Sequence, residues 1–181
     1  MSGINLYSGK LFNFEKYTSK DIDINDIASA LAKLCRFNGH INHFYSVAEH
    51  SCHISDYFKK LNDTENAKFA LLHDATEAYI GDMPSPLKWS DERFRILEND
   101  LWIKAIAPKF NLPYHSEKVK IADKRILITE VMKLNPRFDI RGWPYEKEPL
   151  DVRIKKWNYK EAYWEFMERY KSLFLVPDSF T

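Results

Sequence analysis

His50, His73, Asp74 and Asp123 are polar side chains set where helical spacing calls for apolar ones. His50 falls three residues after Val47 and four before Ile54, intervals that return a helix to one face. His73 stands in the same relation to Ala70, and Asp123 lies between Val119 and Ile126. Each polar group is therefore set on a face that is otherwise apolar. A buried carboxylate needs a partner, and the ordinary solutions are an ion pair or a metal. One His, a His-Asp pair and one Asp, drawn from three helices, form a mixed nitrogen and oxygen ligand set. Such a set suits Mn²⁺, Co²⁺, Fe²⁺, Ni²⁺ or Zn²⁺ better than Ca²⁺, which takes oxygen ligands. Taken singly, either histidine reads as a hydrogen-bonded core residue. Asp123 alone reads as a helical ion pair with Lys124 or Arg125, although those neighbours point about 100° and 200° round the helix.

Glu77 adds a second kind of group. His73, Asp74 and Glu77 occupy positions i, i+1 and i+4, so an unbroken helix stacks Glu77 one turn above His73. A carboxylate placed there can handle protons beside a metal without ligating it. Asp82 follows in the Gly81-Asp82-Met83-Pro84 loop and can share that role. The plain alternatives are a solvated helix residue and a turn acid.

Helical periodicity defines the scaffold that carries these groups. Asn25 caps a segment with Ile27, Leu31 and Leu34 on one side, ending near Arg36 and Gly39. A second helix runs from about Ser46 through Leu61. A third opens near Thr64 and carries His73 and Glu77 to Ile80, where Gly81 stops it. Pro84 and Pro86 require a loop over 82–86. Ser90 caps a fourth helix with Phe94, Leu97, Leu101 and Ala105 as its stripe, and Pro108 and Pro113 bracket a break. Ser116 starts a fifth, on which Val119, Ala122, Asp123, Ile126 and Glu130 share a side. The longest irregular stretch is 135–149, with three prolines and Gly142. A last helix begins at Asn158, with Glu161 completing a capping box, and buries Ala162, Phe166, Met167, Tyr170 and Phe174. The first twenty residues, rich in aromatics, read as a short extended or irregular arm. The expected fold is an all-α, compact bundle of five to seven helices forming one domain over 1–181.

Composition excludes several functions. With 27 Lys and Arg against 26 Asp and Glu the formal charge is +1, which removes the usual electrostatic reason to bind a nucleic acid polymer or an anionic membrane. Cys35 and Cys52 are too few for a disulfide framework or a sulfur-ligated zinc site. The first thirty residues lack the apolar run of a signal peptide, so the expected location is the cytoplasm. The Trp157, Tyr159, Tyr163 and Trp164 cluster reads as packing or a subunit interface.

Arg36, Glu49-His50-Ser51, His73-Asp74-Ala75-Thr76-Glu77, Gly81-Asp82-Met83-Pro84 and Asp123, in that order, resemble the HD-domain metal-dependent phosphohydrolases. Within them the likeness is to small bacterial and phage members related to the 5′-deoxynucleotidases. Ser8-Gly9-Lys10 and Phe166-Met167-Glu168-Arg169 extend it over nearly the whole chain. The resemblance implies one divalent ion held by His50, His73, Asp74 and Asp123. It implies that Glu77 and Asp82 handle protons around the attacking water, and that Arg36 grips the substrate phosphate, a task suited to its planar donors. Phe37 stands where the deoxynucleotidases have a tryptophan against the sugar, so a flat apolar wall is kept. His43 is expected at the pocket rim or in a plain structural role. The implied substrates are deoxynucleoside 5′-monophosphates; the alternatives are deoxynucleoside triphosphates such as dATP, cut to release triphosphate, or nucleotide sensing without turnover. The resemblance also implies a homo-oligomer, a dimer or larger. A triphosphate would call further cations to the mouth, for which Lys88, Lys120, Lys124 and Arg125 are candidates.

Overall fold

Short polar side chains that accept backbone N–H groups set most of the helix starts in this protein, a computed structural model of which describes residues 3–141, 143 and 148–175. The chain opens with a hairpin, β1 (Gly3–Asn5) against antiparallel β2 (Leu11–Asn13), in the register Gly3↔Asn13, Ile4↔Phe12 and Asn5↔Leu11. The expected arm is thus a clasp. Ser8 donates its N–H and hydroxyl to the two oxygens of buried Asp26, at 2.6 and 2.9 Å. Phe12, 1% exposed, packs against Tyr17 and Tyr79. A side chain at Gly3 would collide with the Phe12 carbonyl oxygen.

Asp23, two residues before the expected cap, starts α1 (Ile24–Leu31) by accepting from Asn25 N–H. Ser46 caps α2 (Val47–Lys60), and Asp63 caps α3 (Thr64–Leu72). The helix expected through to Ile80 breaks at residues 73–76, where the Ala75 and Glu77 amides bond three residues back rather than four. The backbone is wound tighter there, and α4 (Glu77–Ile80) follows. Gly81, at φ 82 and ψ 159, ends it. The proline loop is shorter than expected, because Pro84 and Pro86 sit at the start of an extra short helix, α5 (Ser85–Ser90). Proline is at home in a first turn, where its missing N–H has no partner to lose.

Asp91, not Ser90, caps α6 (Glu92–Leu101). The break expected between Pro108 and Pro113 falls at Asn111. A wider π turn over Trp102–Ile106 carries the helix into α7 (Ala107–Phe110), which Asn111 stops at φ 51. The wider turn accommodates a ring that an α-helix interior would reject. Ser116 caps α8 (Glu117–Leu134), and Asn158 with Glu161 forms the capping box of α9 (Tyr159–Tyr170) as expected. Gly142 and Pro144, within the stretch read as irregular, lie outside the described residues.

The fold is all-α apart from the hairpin. The α2 and α3 helices form the principal packed pair, α9 closes over α1 and α2, and α8 lies against α2 and α3. Ile27, Leu31, Ile54, Leu71, Leu72, Ile106, Ile126 and Phe166 fill the space between them without solvent exposure. Among the described residues no helix is long and apolar enough to cross a membrane.

Candidate metal and phosphate site

The loop between α1 and α2 places Arg36 by closing on itself. Arg36 N–H donates to Tyr45 O at 3.0 Å, Val47 N–H to Leu34 O at 3.0 Å, and Cys35 faces Ser46 in an isolated antiparallel bridge. The loop tip is tied to the end of α8 by Asn42 N–H to Leu134 O and by the Asn135 side chain to His40 O. Arg36 and Tyr45 therefore point the same way, toward α8. Phe37, in left-handed backbone at φ 57, turns its ring to Phe138, with centroids 5.9 Å apart, and lies under the Arg36 guanidinium.

Asp123 and Glu130 are seven residues apart on α8, two turns and nearly one face. His50, with no exposure, lies across that face. Its Nδ1 is 2.6 Å from Glu130 Oε1, and its Nε2 is 3.1 Å from Asp123 Oδ1, off the direction of a hydrogen bond. Glu130, also unexposed, accepts the Tyr45 hydroxyl at 2.8 Å on the same oxygen and Arg36 Nη2 at 3.1 Å on the other. Burial opposes a charge on Glu130, yet Arg36, His50 and Tyr45 together hold its carboxyl below the ordinary range. Burial and Arg36 oppose a proton on His50, but Glu130 and Asp123 outweigh them and raise its pKa to about 9.

The tight turn after α3 presents the His-Asp pair. His73 Nδ1 donates to Ala70 O at 2.7 Å, leaving Nε2 3.3 Å from Asp74 Oδ2. That same oxygen is 3.6 Å from His50 Nε2 and 3.9 Å from Arg36 Nη1. One atom each of His50, His73 and Asp74 thus lies within 4.8 Å of the others. Asp123 stands outside that trio and touches it through His50.

Glu77 opens α4 rather than stacking on His73's helix, but it remains at the site, 6% exposed, with Oε2 unpaired. Burial, with Asp74 and Asp82 beside it, pushes its pKa well above the ordinary value, against the pull of Arg36 and Lys88. Asp82 is also raised, by burial first and by Asp74, with Arg36, His50 and Lys88 opposing. Lys88 itself is paired with Glu98 at 2.7 Å. Arg125 is turned to the Glu148 and Pro149 carbonyls, and Lys120 faces Glu117 at 3.9 Å. His43 is exposed in the loop before α2, which begins too late to carry it on the inner face.

The donor set fits a transition ion. Both histidines have Nδ1 committed to an acceptor, which directs the Nε2 lone pair inward. Both Nε2 atoms are buried and without a hydrogen bond, as are Arg36 Nε and Glu77 Oε2. Sequence spacing placed Glu130 on the inner face of α8 and gave it no role; its signal was a carboxylate on a buried stripe, seven residues from Asp123. Tyr45 carried no signal, since only the closed loop brings it there. Glu49, quoted within the motif, proves structural: it accepts the amides of Lys155, Lys156 and Trp157 at 2.8 Å each and so fixes the entry to α9.

Residues 30–105 match the family model for 5′-deoxynucleotidase YfbR-like proteins, a span that holds Arg36, Tyr45, His50, His73, Asp74, Glu77 and Asp82 but not Asp123 or Glu130. The chain is 41% identical over 177 residues to the uncharacterised protein YfdR of Escherichia coli (strain K12), covering 96% of each chain. It is also 35% identical over 113 residues to an uncharacterised protein of Rhodobacter capsulatus, covering 60% of this chain and 58% of that one. The inward-facing histidines, the acids beside them and these likenesses agree: the chain belongs to the YfbR-like 5′-deoxynucleotidase family of the HD-domain superfamily.

Proposed function

We propose that the protein is a metal-dependent phosphohydrolase that converts deoxynucleoside 5′-monophosphates to deoxynucleoside and phosphate. The observation that carries this is the pair of buried Nε2 atoms of His50 and His73, which make no hydrogen bond and converge on the carboxylates of Asp74 and Asp123. Together the four would hold one divalent ion. Such an ion supplies positive charge that makes water a usable nucleophile near neutral pH.

The protein's own groups do the rest. Arg36 lies 3.9 Å from Asp74, so a phosphate bound beside Asp74 would meet the guanidinium, which neutralises the oxygens as charge spreads over them. Water bonds to phosphorus, the bond from phosphorus to the 5′-oxygen breaks, and that oxygen takes a proton. Glu77, whose pKa burial and the neighbouring acids raise, and Asp82 orient the water and deliver that proton. The Phe37 and Phe138 rings, tilted 52° to each other, offer the sugar an apolar wall. The cations that act on Glu77 and Asp82 include Arg36 and Lys88, whereas Arg125 is engaged elsewhere. That balance favours one phosphate over three.

A panel of dAMP, AMP and dATP assayed with several divalent ions tests the proposal. The expected product is inorganic phosphate from dAMP. Release of triphosphate from dATP, with dAMP untouched, would assign the alternative activity; tight binding of all three without turnover would make the protein a sensor.

A further inference from the structure

We propose that Glu130 is a positioning residue that fixes the metal half and the phosphate half of the site with one buried carboxylate. It rests on the phosphohydrolase function above, to which it adds a residue that touches neither substrate nor ion. The geometry is specific. Oε1 lies 2.6 Å from His50 Nδ1 and accepts the Tyr45 hydroxyl at 2.8 Å, while Oε2 accepts Arg36 Nη2 at 3.1 Å. The Arg36 to Tyr45 loop and the α2 helix that follows it meet α8 on this side chain, across sequence separations of 80 to 94 residues. Glu130, Tyr45 and His50 all have no solvent exposure, so water cannot replace a lost partner.

Two consequences follow from donor and acceptor chemistry. A carboxylate has no N–H to offer, so Nδ1 of His50 must carry the proton and Nε2 must be the ligand atom. Holding Nη2 on Oε2 also fixes the guanidinium plane, which leaves Nη1 on the Asp74 side to face a phosphate. An amide at this position cannot serve all three donors. Gln presents one acceptor oxygen, and its NH₂ would oppose either His50 or Arg36.

The test is Glu130→Gln in the full chain, with Co²⁺ affinity measured by competition against a chromophoric chelator. The expected loss is about 10–100-fold, the usual scale for removing the partner of a ligating histidine. Inorganic phosphate binding to the metal-saturated variant, measured by calorimetry, should weaken several-fold. Tyr45→Phe, which leaves both links in place, should keep the Co²⁺ affinity of the unaltered chain. An unchanged Co²⁺ affinity in folded Glu130→Gln overturns the metal half, and unchanged phosphate binding overturns the Arg36 half. An equal loss in Tyr45→Phe overturns the whole, because the damage would then come from opening a buried cluster. Should Glu130→Gln fail to fold, the His50 tautomer decides: long-range ¹H–¹⁵N spectra of the unaltered Zn²⁺-loaded chain should show a proton on Nδ1 and the metal on Nε2, and the reverse overturns the proposal. None of these readouts involves a nucleotide. Absence of dAMP turnover alongside the expected affinity loss therefore counts against the proposed hydrolysis and still supports the positioning of His50.

Discussion

The two walls of the site are built on opposite principles. On the α2 and α8 wall, Arg36, Tyr45, His50 and Glu130 form a closed set in which opposite charges meet and the Glu130 carboxyl is held ionised. On the α4 and α5 wall, Glu77 and Asp82 are acids crowded by another acid, Asp74, with Lys88 drawn away to Glu98. The first wall keeps charges in place, and the second keeps protons available. The contrast assigns different tasks to carboxylates that are alike in sequence, because environment sets which form of the group is stable.

The sharpest break in that comparison lies at the residue between the walls. Asp74 Oδ2 is the oxygen common to His73, His50 and Arg36. Asp74→Ala should abolish both metal content and turnover. Metal analysis checks this, and full occupancy in the variant would remove Asp74 from the ligand set. Next in size is Glu77→Gln, which keeps the shape and removes the exchangeable proton. Turnover should fall by about 10²–10⁴-fold, the range of general acid and base contributions, while metal content stays intact. Near-normal turnover would place the proton-handling group elsewhere.

The walls should also respond oppositely to pH in the metal-free chain. Glu130 titrates below the ordinary range when folded, so its contribution is present above the unfolded pKa of about 4.3 and is lost as pH falls through the folded value. Glu77 titrates above that range, so its contribution is present in acid and is lost as pH rises through the folded value. His50 acts in the same sense over a defined window, from an unfolded pKa of about 6.5 to a folded one of about 9. Melting temperatures across pH should therefore show an acid limb that flattens in Glu130→Gln and a falling alkaline side that flattens in Glu77→Gln. A limb that does not move in its own variant breaks the pairing.

How far the sequence reveals this depends on what each feature requires. His50 and Asp123 were legible because their helices run unbroken and three- and four-residue spacing then fixes the face. Asn158 and Ser116 were legible because capping is local chemistry. The relation of His73 to Glu77 was not legible, since the tightening over residues 73–76 leaves no mark in residue type. Pro108 and Pro113 do bracket a break, at Asn111, but the helical turn that runs through Pro108 left no signal, since a π turn ahead of it relieves the clash that a proline ring normally causes. Tyr45 and the shared role of Glu130 could not be read at all: they depend on a loop closing over residues 85 and more positions away in the chain.

Gly81 provides a smaller test, on the second wall alone. Its backbone, at φ 82 and ψ 159, lies in a region open almost only to glycine, while a Cβ there would meet nothing within 4 Å. The cost of Gly81→Ala is thus backbone strain without a clash, roughly 1–3 kcal/mol, read as a lower denaturation midpoint. Because Gly81 joins Glu77's helix to Asp82, turnover should fall with metal content unchanged.

Lys88 and Glu98 link α5 to α6 beside the second wall. Lys88 and Glu98 are each about a quarter exposed, at 27% and 24% for their side chains, so solvent limits what their pair contributes. Lys88 nevertheless acts on Glu77 and Asp82 from the mouth of the site. Lys88→Met should raise the KM for a nucleotide a few-fold, and Glu98→Gln should lower it by releasing the ammonium toward the phosphate. Opposite signs from two halves of one ion pair would show that Lys88 is a cation held in reserve on the proton-handling wall. Changes of the same sign in steady-state kinetics would reduce the pair to a brace between α5 and α6.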